Sequence, residues 1–176
     1  MLRTIFFAAA TVGAFAAVAA PALAQQQTSS QTATAEFLGR SGTSAGRATL
    51  NAAKDGVLFE IEISGMPVRK WVAVHIHEMG ACDPTTGHES AGGHFNPDDR
   101  EHGFLAANGP HAGDMPNQYV GDDGVLRAQI FNSFVRLDDK ERGIRGRALV
   151  IHAGSDDYRT GPSGGAGDRL ACAVIQ

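Results

Sequence analysis

Residues 57–63, VLFEIEI, set Val57, Phe59, Ile61 and Ile63 in alternation with Leu58, Glu60 and Glu62. Successive side chains of an extended strand point to opposite faces, so this stretch buries one face and wets the other. The same period returns in Val72, Val74 and Ile76 against Ala73, His75 and His77, and in Leu126, Ala128 and Ile130 against Arg127 and Gln129. Ala148 to Ile151 is apolar throughout, as an inner strand is. Lys54-Asp55-Gly56 and Asp122-Asp123-Gly124 each stand before a strand, where Asp-Gly supplies the positive φ of a tight turn. Strands are expected near 33–40, 46–53, 56–63, 71–78, 124–131, 147–153 and 170–175. Helix signals are scarce, so the chain reads as an antiparallel sandwich or barrel. Two irregular stretches, 79–117 and 152–168, are rich in Gly, Pro, Asp and His, and loops of that length are usually functional.

The first residues obey a different logic. Met1-Leu2-Arg3 is a short positive start, residues 5–20 are uncharged and apolar, and Ala22 and Ala24 give a signal peptidase its small residues. Residues 1–24 are therefore read as a signal peptide; a transmembrane anchor would need about 20 apolar residues. Residues 25–32 (QQQTSSQT) read as a flexible leader, and 33–176 as one domain. The expected location is outside the cytoplasm, in the periplasm, with no membrane attachment after cleavage. Removing the signal loses Arg3 and no acid, so the net charge moves from -4 to -5. That balance argues against nucleic acid as a partner. In an exported chain the pair Cys82 and Cys172 reads as a disulfide, with thiolate metal ligation as the alternative.

All seven histidines lie between positions 75 and 152. His75 and His77 are two apart on a strand and so share a face. His94, His102, His111 and Asp114 follow at the spacing H-x7-H-x8-H-x2-D, and three imidazoles with one carboxylate satisfy a tetrahedral zinc ion. His152 ends the strand 148–151 and can return to the face of His75 and His77. Imidazole-rich sites without thiolates suit zinc and copper.

The motifs VAVHIHE (72–78), SAGGHFNP (90–97), HAGDMPN (111–117), GRALVIH (146–152) and GAGDRLACAVI (165–175) come in one order along the chain. With them the chain resembles the copper/zinc superoxide dismutases, in their exported bacterial branch. The resemblance implies an all-β fold: an eight-stranded Greek-key β-barrel, an immunoglobulin-like sandwich, with two long functional loops. It implies one copper and one zinc per subunit. Copper would fall to His75, His77, His94 and His152, and zinc to His94, His102, His111 and Asp114, with His94 bridging. Asp156 would link a copper-ligand ring to a zinc-ligand ring, Arg169 would guide the anion, and Cys82–Cys172 would be the family's disulfide. The implied reaction turns superoxide into dioxygen and hydrogen peroxide at a redox-cycling copper ion, in a monomer or homodimer.

The chain departs from the family's pattern at a few places. His88 has no family role and is read as a solvated loop histidine. Arg159–Asp168 is short and lacks the Lys/Glu array of the eukaryotic members, and Ala173 stands where Gly is usual. On residue type alone Arg169 would be a surface arginine neutralising Asp168 or Asp156; the frame G-x-x-G-x-R-x-x-C assigns it to the site instead. A copper-only relative would lack His102, His111 and Asp114. A non-enzymatic copper/zinc carrier would use Met or Cys for Cu(I), and Met66, Met79 and Met115 are not clustered. A zinc hydrolase would need an open ligand position, which a four-ligand set does not leave.

Overall fold

The computed structural model describes residues 31–176; the expected signal peptide and nearly all of the leader lie outside them. Thr32–Gly39 (β1), Ser44–Ala53 (β2) and Gly56–Ile63 (β3) form an antiparallel meander, Ala53 pairing with Gly56 across a two-residue turn. Trp71–Val72 (β4) and Val74–His77 (β5) are one line of chain interrupted at Ala73, whose N–H and C=O bond Gly154 and His152 instead. Gln118–Tyr119 (β6), Leu126–Asn132 (β7), Ala148–His152 (β8) and Arg169–Val174 (β9) complete the set.

Seven strands make one sheet in the order β5-β8-β9-β1-β2-β3-β7, and β4 pairs with β6. Since β4 continues into β5 and β6 leads to β7, this small ribbon draws the two ends of the sheet together. Counting β4 and β5 as one broken strand gives the eight strands expected. The expected list omitted β6, which is only two residues long.

Alternation decides what the curled sheet encloses. Ala33, Ala35 and Phe37 of β1, Leu50 of β2, and Val57, Phe59, Ile61 and Ile63 of β3 meet Val74 and Ile76 of β5 and Leu149 and Ile151 of β8 in one core. Fully burying a side chain such as Phe59 or Ile63 contributes about 1.5–3 kcal/mol. β8 is buried on both faces, as its unbroken apolar run required. Its outer residues Ala148 and Val150 join Cys172, Ala91 and Cys82 in a second cluster beneath the loop after β5. Gly56 is glycine for another reason than the one expected. Its φ is not positive; a Cβ there would overlap Asn132 O of β7. Gly124, by contrast, does have φ 70°.

Candidate metal centre

β5 pairs with β8 along one edge, and the long loop closes the other. Ile76 N–H donates to Gly113 O (2.9 Å), and Phe95 N–H donates to Ile76 O (2.8 Å). Gly113 N–H donates to Phe95 O (2.8 Å), and Glu78 N–H to Gly93 O (2.9 Å). This docking sets His94 opposite His77 and Asp114 opposite His75. Gly113 has to lack a Cβ, which would overlap Ile76 O. The strand's period and the loop's hydrogen bonds thus bring together donors far apart in sequence.

Four rings converge on one point: the donor atoms of His75, His77, His94 and His152 lie within 4.8 Å of one another. Their outer partners fix the tautomers, because a carbonyl or carboxylate oxygen only accepts. His77 donates from Nδ1 to Gly92 O (2.9 Å), and His152 from Nδ1 to Gly167 O (3.1 Å). Each Nε2 is left as a lone pair, and the two are 3.4 Å apart. His75 donates from Nε2 to Asp156 Oδ2 (2.9 Å), leaving Nδ1 buried without a hydrogen-bond partner; His94 Nε2 is in the same condition. Lone pairs aimed at a common point are what a cation binds.

The second group, His94, His102, His111 and Asp114, is equally close. Asp114 Oδ1 lies 2.9 Å from Nδ1 of His94, 3.2 Å from Nδ1 of His102 and 3.4 Å from Nδ1 of His111. Around a tetrahedral zinc with ligands at about 2.0–2.1 Å, neighbouring donors are about 3.3 Å apart. Of the three contacts only His94's has hydrogen-bond geometry; Nδ1 of His102 and of His111 has no such partner. Asp114 Oδ2 is turned away and accepts from the backbone N–H groups of Gly103 (2.8 Å) and His111 (3.0 Å). The spacing and the unpartnered nitrogens both fit a four-ligand ion. His94 belongs to both groups, with Nδ1 on one side and Nε2 on the other.

Asp156 joins the groups from behind. Its Oδ2 holds His75, and its Oδ1 accepts from His102 Nε2 (3.0 Å) and from Tyr158 N–H (2.6 Å). Asn117 clamps the Asp156 backbone, accepting its N–H and donating to its C=O (both 2.8 Å). A Cβ on Gly164 would overlap Asp156 Oδ1 and crowd His102 Nε2, so glycine there lets the second loop close over the link.

Burial is the largest influence on three of these rings, pushing His77 down to about 2, His152 to about 3 and His94 to about 4. His102 moves the other way. Burial opposes its charge, yet the nearby carboxylates of Asp114 and Asp156 outweigh it and raise the ring to about 9. Both carboxyls sit well below the usual range: burial would raise them, and their attraction to His102 and the hydrogen bonds of neighbouring groups prevail.

The seven residues first singled out all meet here, and Asp156 stands behind them. Cys82 and Cys172 are bonded, their Cα atoms 5.5 Å apart. Arg169 neutralises neither Asp168, which pairs with Arg40 (2.7 Å), nor Asp156. Its Nη1 donates to His88 O and its Nη2 to Gly92 O, both at 2.8 Å, and its charge helps lower His77 and His152. His88 corrects an expectation. It is not solvated but buried, with both ring nitrogens unpartnered and its backbone in the left-handed region (φ 65°). Asn117, Tyr158 and Gly164 were missed as site residues, although Asn117 is the last letter of HAGDMPN and Gly164 the first of the G-x-x-G-x-R-x-x-C frame.

A family model described as copper/zinc superoxide dismutase matches residues 44–175. The chain is 47% identical over 146 residues to superoxide dismutase [Cu-Zn] 2 of Aquifex aeolicus, covering 81% of this chain and 85% of that protein. It is 40% identical over 152 residues to superoxide dismutase [Cu-Zn] of Caulobacter vibrioides, covering 82% and 85%. Among solved structures, a SOD-like protein from Bacillus subtilis superposes with a TM-score of 0.77 at 34% identity, covering 81% of this chain and 97% of that one. The Cu/Zn superoxide dismutase from Brucella abortus superposes at 0.69 and 25% identity, covering 82% and 99%.

Proposed function

The chain belongs to the copper/zinc superoxide dismutase family, and from that premise we propose how its residues share the work. The protein is an oxidoreductase that converts two superoxide anions and two protons into dioxygen and hydrogen peroxide, with copper and zinc as cofactors. His75, His77, His94 and His152 hold the copper, and His94, His102, His111 and Asp114 hold the zinc. The observation that carries this reading is His94, whose two nitrogens face the two groups, Nδ1 toward Asp114 and Nε2 buried without a protein partner. Copper that alternates between two oxidation states supplies the electron transfer when bound, and zinc supplies a fixed positive charge.

The rest is done by the chain. The other three rings of the copper set are each held by an outward oxygen, on Asp156, Gly92 or Gly167. His94 has no such outward nitrogen. With Nδ1 committed on the Asp114 side, Nε2 is where a proton is held and passed on. Asp156 keeps His75 and His102 in the tautomers that aim Nδ1 inward. Arg169, held by two carbonyls, orients the incoming anion. Its role is local, because a chain with net charge -4 does not attract an anion as a whole.

The disulfide and the bacterial relatives mark an enzyme that works outside the cytoplasm. Residues 1–24 as a signal peptide, 25–32 as a leader and 33–176 as the enzyme domain make the periplasm its compartment. No helix of the described residues is long and apolar enough to cross a membrane.

Pulse radiolysis of the copper- and zinc-loaded protein tests the reading. Wild type should speed superoxide decay far beyond the His152→Ala variant while binding one of each metal per chain. Equal decay rates from the two loaded proteins would leave a metal carrier and sink the enzyme.

A further inference from the structure

Arg169 has a third partner. Besides the two carbonyls, Nη2 lies 3.2 Å from Glu89 Oε2, and among the described residues this is the carboxylate that forms an ion pair with it. The pair is lopsided: the Glu89 side chain is 71% exposed and that of Arg169 only 14%. Glu89 therefore stands on the solvent side of a guanidinium that is otherwise covered.

Its placement follows from one short turn. Glu89–Ala91 is a single 3-10 turn flanked by His88 and Gly92, whose carbonyls are the two that grip Arg169. The turn is pinned in place because Gly92 N–H donates to Glu89 O (3.0 Å) and Ala91 packs in the cluster around the disulfide. A guanidinium carries five N–H donors. Two are spent on the carbonyls, and Glu89 stands against Nη2 as an ion pair, so it occupies a side of the guanidinium that an arriving anion would use.

We propose that Glu89 is a competing anion on Arg169 that slows capture of superoxide and of other small anions alike; this rests on the role given to Arg169 above. Glu89 binds weakly, since its exposed carboxylate is well solvated. An incoming anion displaces it and meets its repulsion on the way. Among the described residues Glu89 forms its ion pair with Arg169 and none with a metal ligand, so its replacement leaves the metal groups intact.

Glu89→Gln tests the idea. At low ionic strength the variant should show a second-order rate constant for superoxide about two- to fivefold above wild type, and the gain should vanish in roughly 0.5 M salt, where screening acts within about 4–5 Å. Azide, titrated against the optical bands of the loaded copper, should bind tighter by a similar factor. Glu89→Asp, which keeps the charge on a shorter arm, should stay within about twofold of wild type. Metal content should match in all three proteins. Unchanged rate and azide affinity at every salt would overturn the proposal. So would a slower Glu89→Gln, because Glu89 would then be supporting Arg169 rather than competing for it. If loaded wild type fails to dismutate superoxide, the enzyme reading falls separately, and the azide titration still reports on Glu89.

Discussion

Replacing Asp156 by asparagine keeps the shape and removes the charge. The carboxylate offers an acceptor to Nε2–H of both His75 and His102. An amide offers one acceptor and one donor, so one ring must change tautomer and turn an N–H toward the position where its Nδ1 lone pair is needed. Asp156→Asn should weaken metal binding about 10- to 100-fold, measured by competition with a chelator, and should also lower the melting temperature of the metal-free protein, which loses a stabilising carboxylate. Affinity equal to wild type would mean that Asp156 does not set the tautomers. Asn117→Ala should act in the same direction and more mildly. It leaves the carboxylate and frees only the backbone that Asn117 holds at both the N–H and the C=O.

The loop after β5 depends on its tether. Cys82–Cys172 spans 90 residues of sequence and pulls the turn that carries His88 O and Gly92 O against β9, where Arg169 begins. In the chain-entropy model a loop that long contributes about 4–5 kcal/mol. A Cys82→Ala/Cys172→Ala variant should lose about 2–5 kcal/mol in urea unfolding, and its dismutation rate should fall more than its copper content. A proportional fall would show that the tether serves the metal alone. The strands themselves were legible because period two and burial coincide in β1, β3 and β7. What escaped depends on distant pairing. β6 is too short to show a period, the break at Ala73 follows from bonds to Gly154 and His152, and Gly56 answers to Asn132 of β7. The irregular stretch 133–147 was not foreseen beside the other two. The same holds at the site. Ligand-type residues could be seen at their spacings, and the roles of Asp156 and Arg169 came from the resemblance. Asn117 grips a backbone 39 residues away, which no local signal announces.

At the scale of the whole molecule the buried rings make the metal-free fold sensitive to acid on one side and to base on the other. His77, His152 and His94 are held at about 2, 3 and 4, below the ordinary 6.5. As pH falls below 6.5 the unfolded chain takes up protons at these rings and the folded chain does not, so stability drops. Each ring contributes up to about 1.4 kcal/mol per pH unit over that range. His102 has the opposite sign: raised to about 9, its stabilising charge is fully present below 6.5 and is lost as pH rises through 9. Asp114 and Asp156, both depressed, add stability above the ordinary carboxylate range and lose it only in stronger acid. The melting temperature of the metal-free protein should therefore peak near pH 6.5, fall steeply toward about pH 4.5 and decline more gently toward about pH 9. Loading the metals should raise the melting temperature and leave the acid limb at least as steep, because a bound cation stabilises the folded state by its own affinity and holds the rings unprotonated there while the unfolded chain still takes up protons. It should also remove the basic limb, since zinc displaces the proton of His102. Calorimetry of metal-free and loaded protein across this range measures both limbs, and a metal-free melting temperature that climbs steadily through pH 9 would contradict the charge assigned to His102.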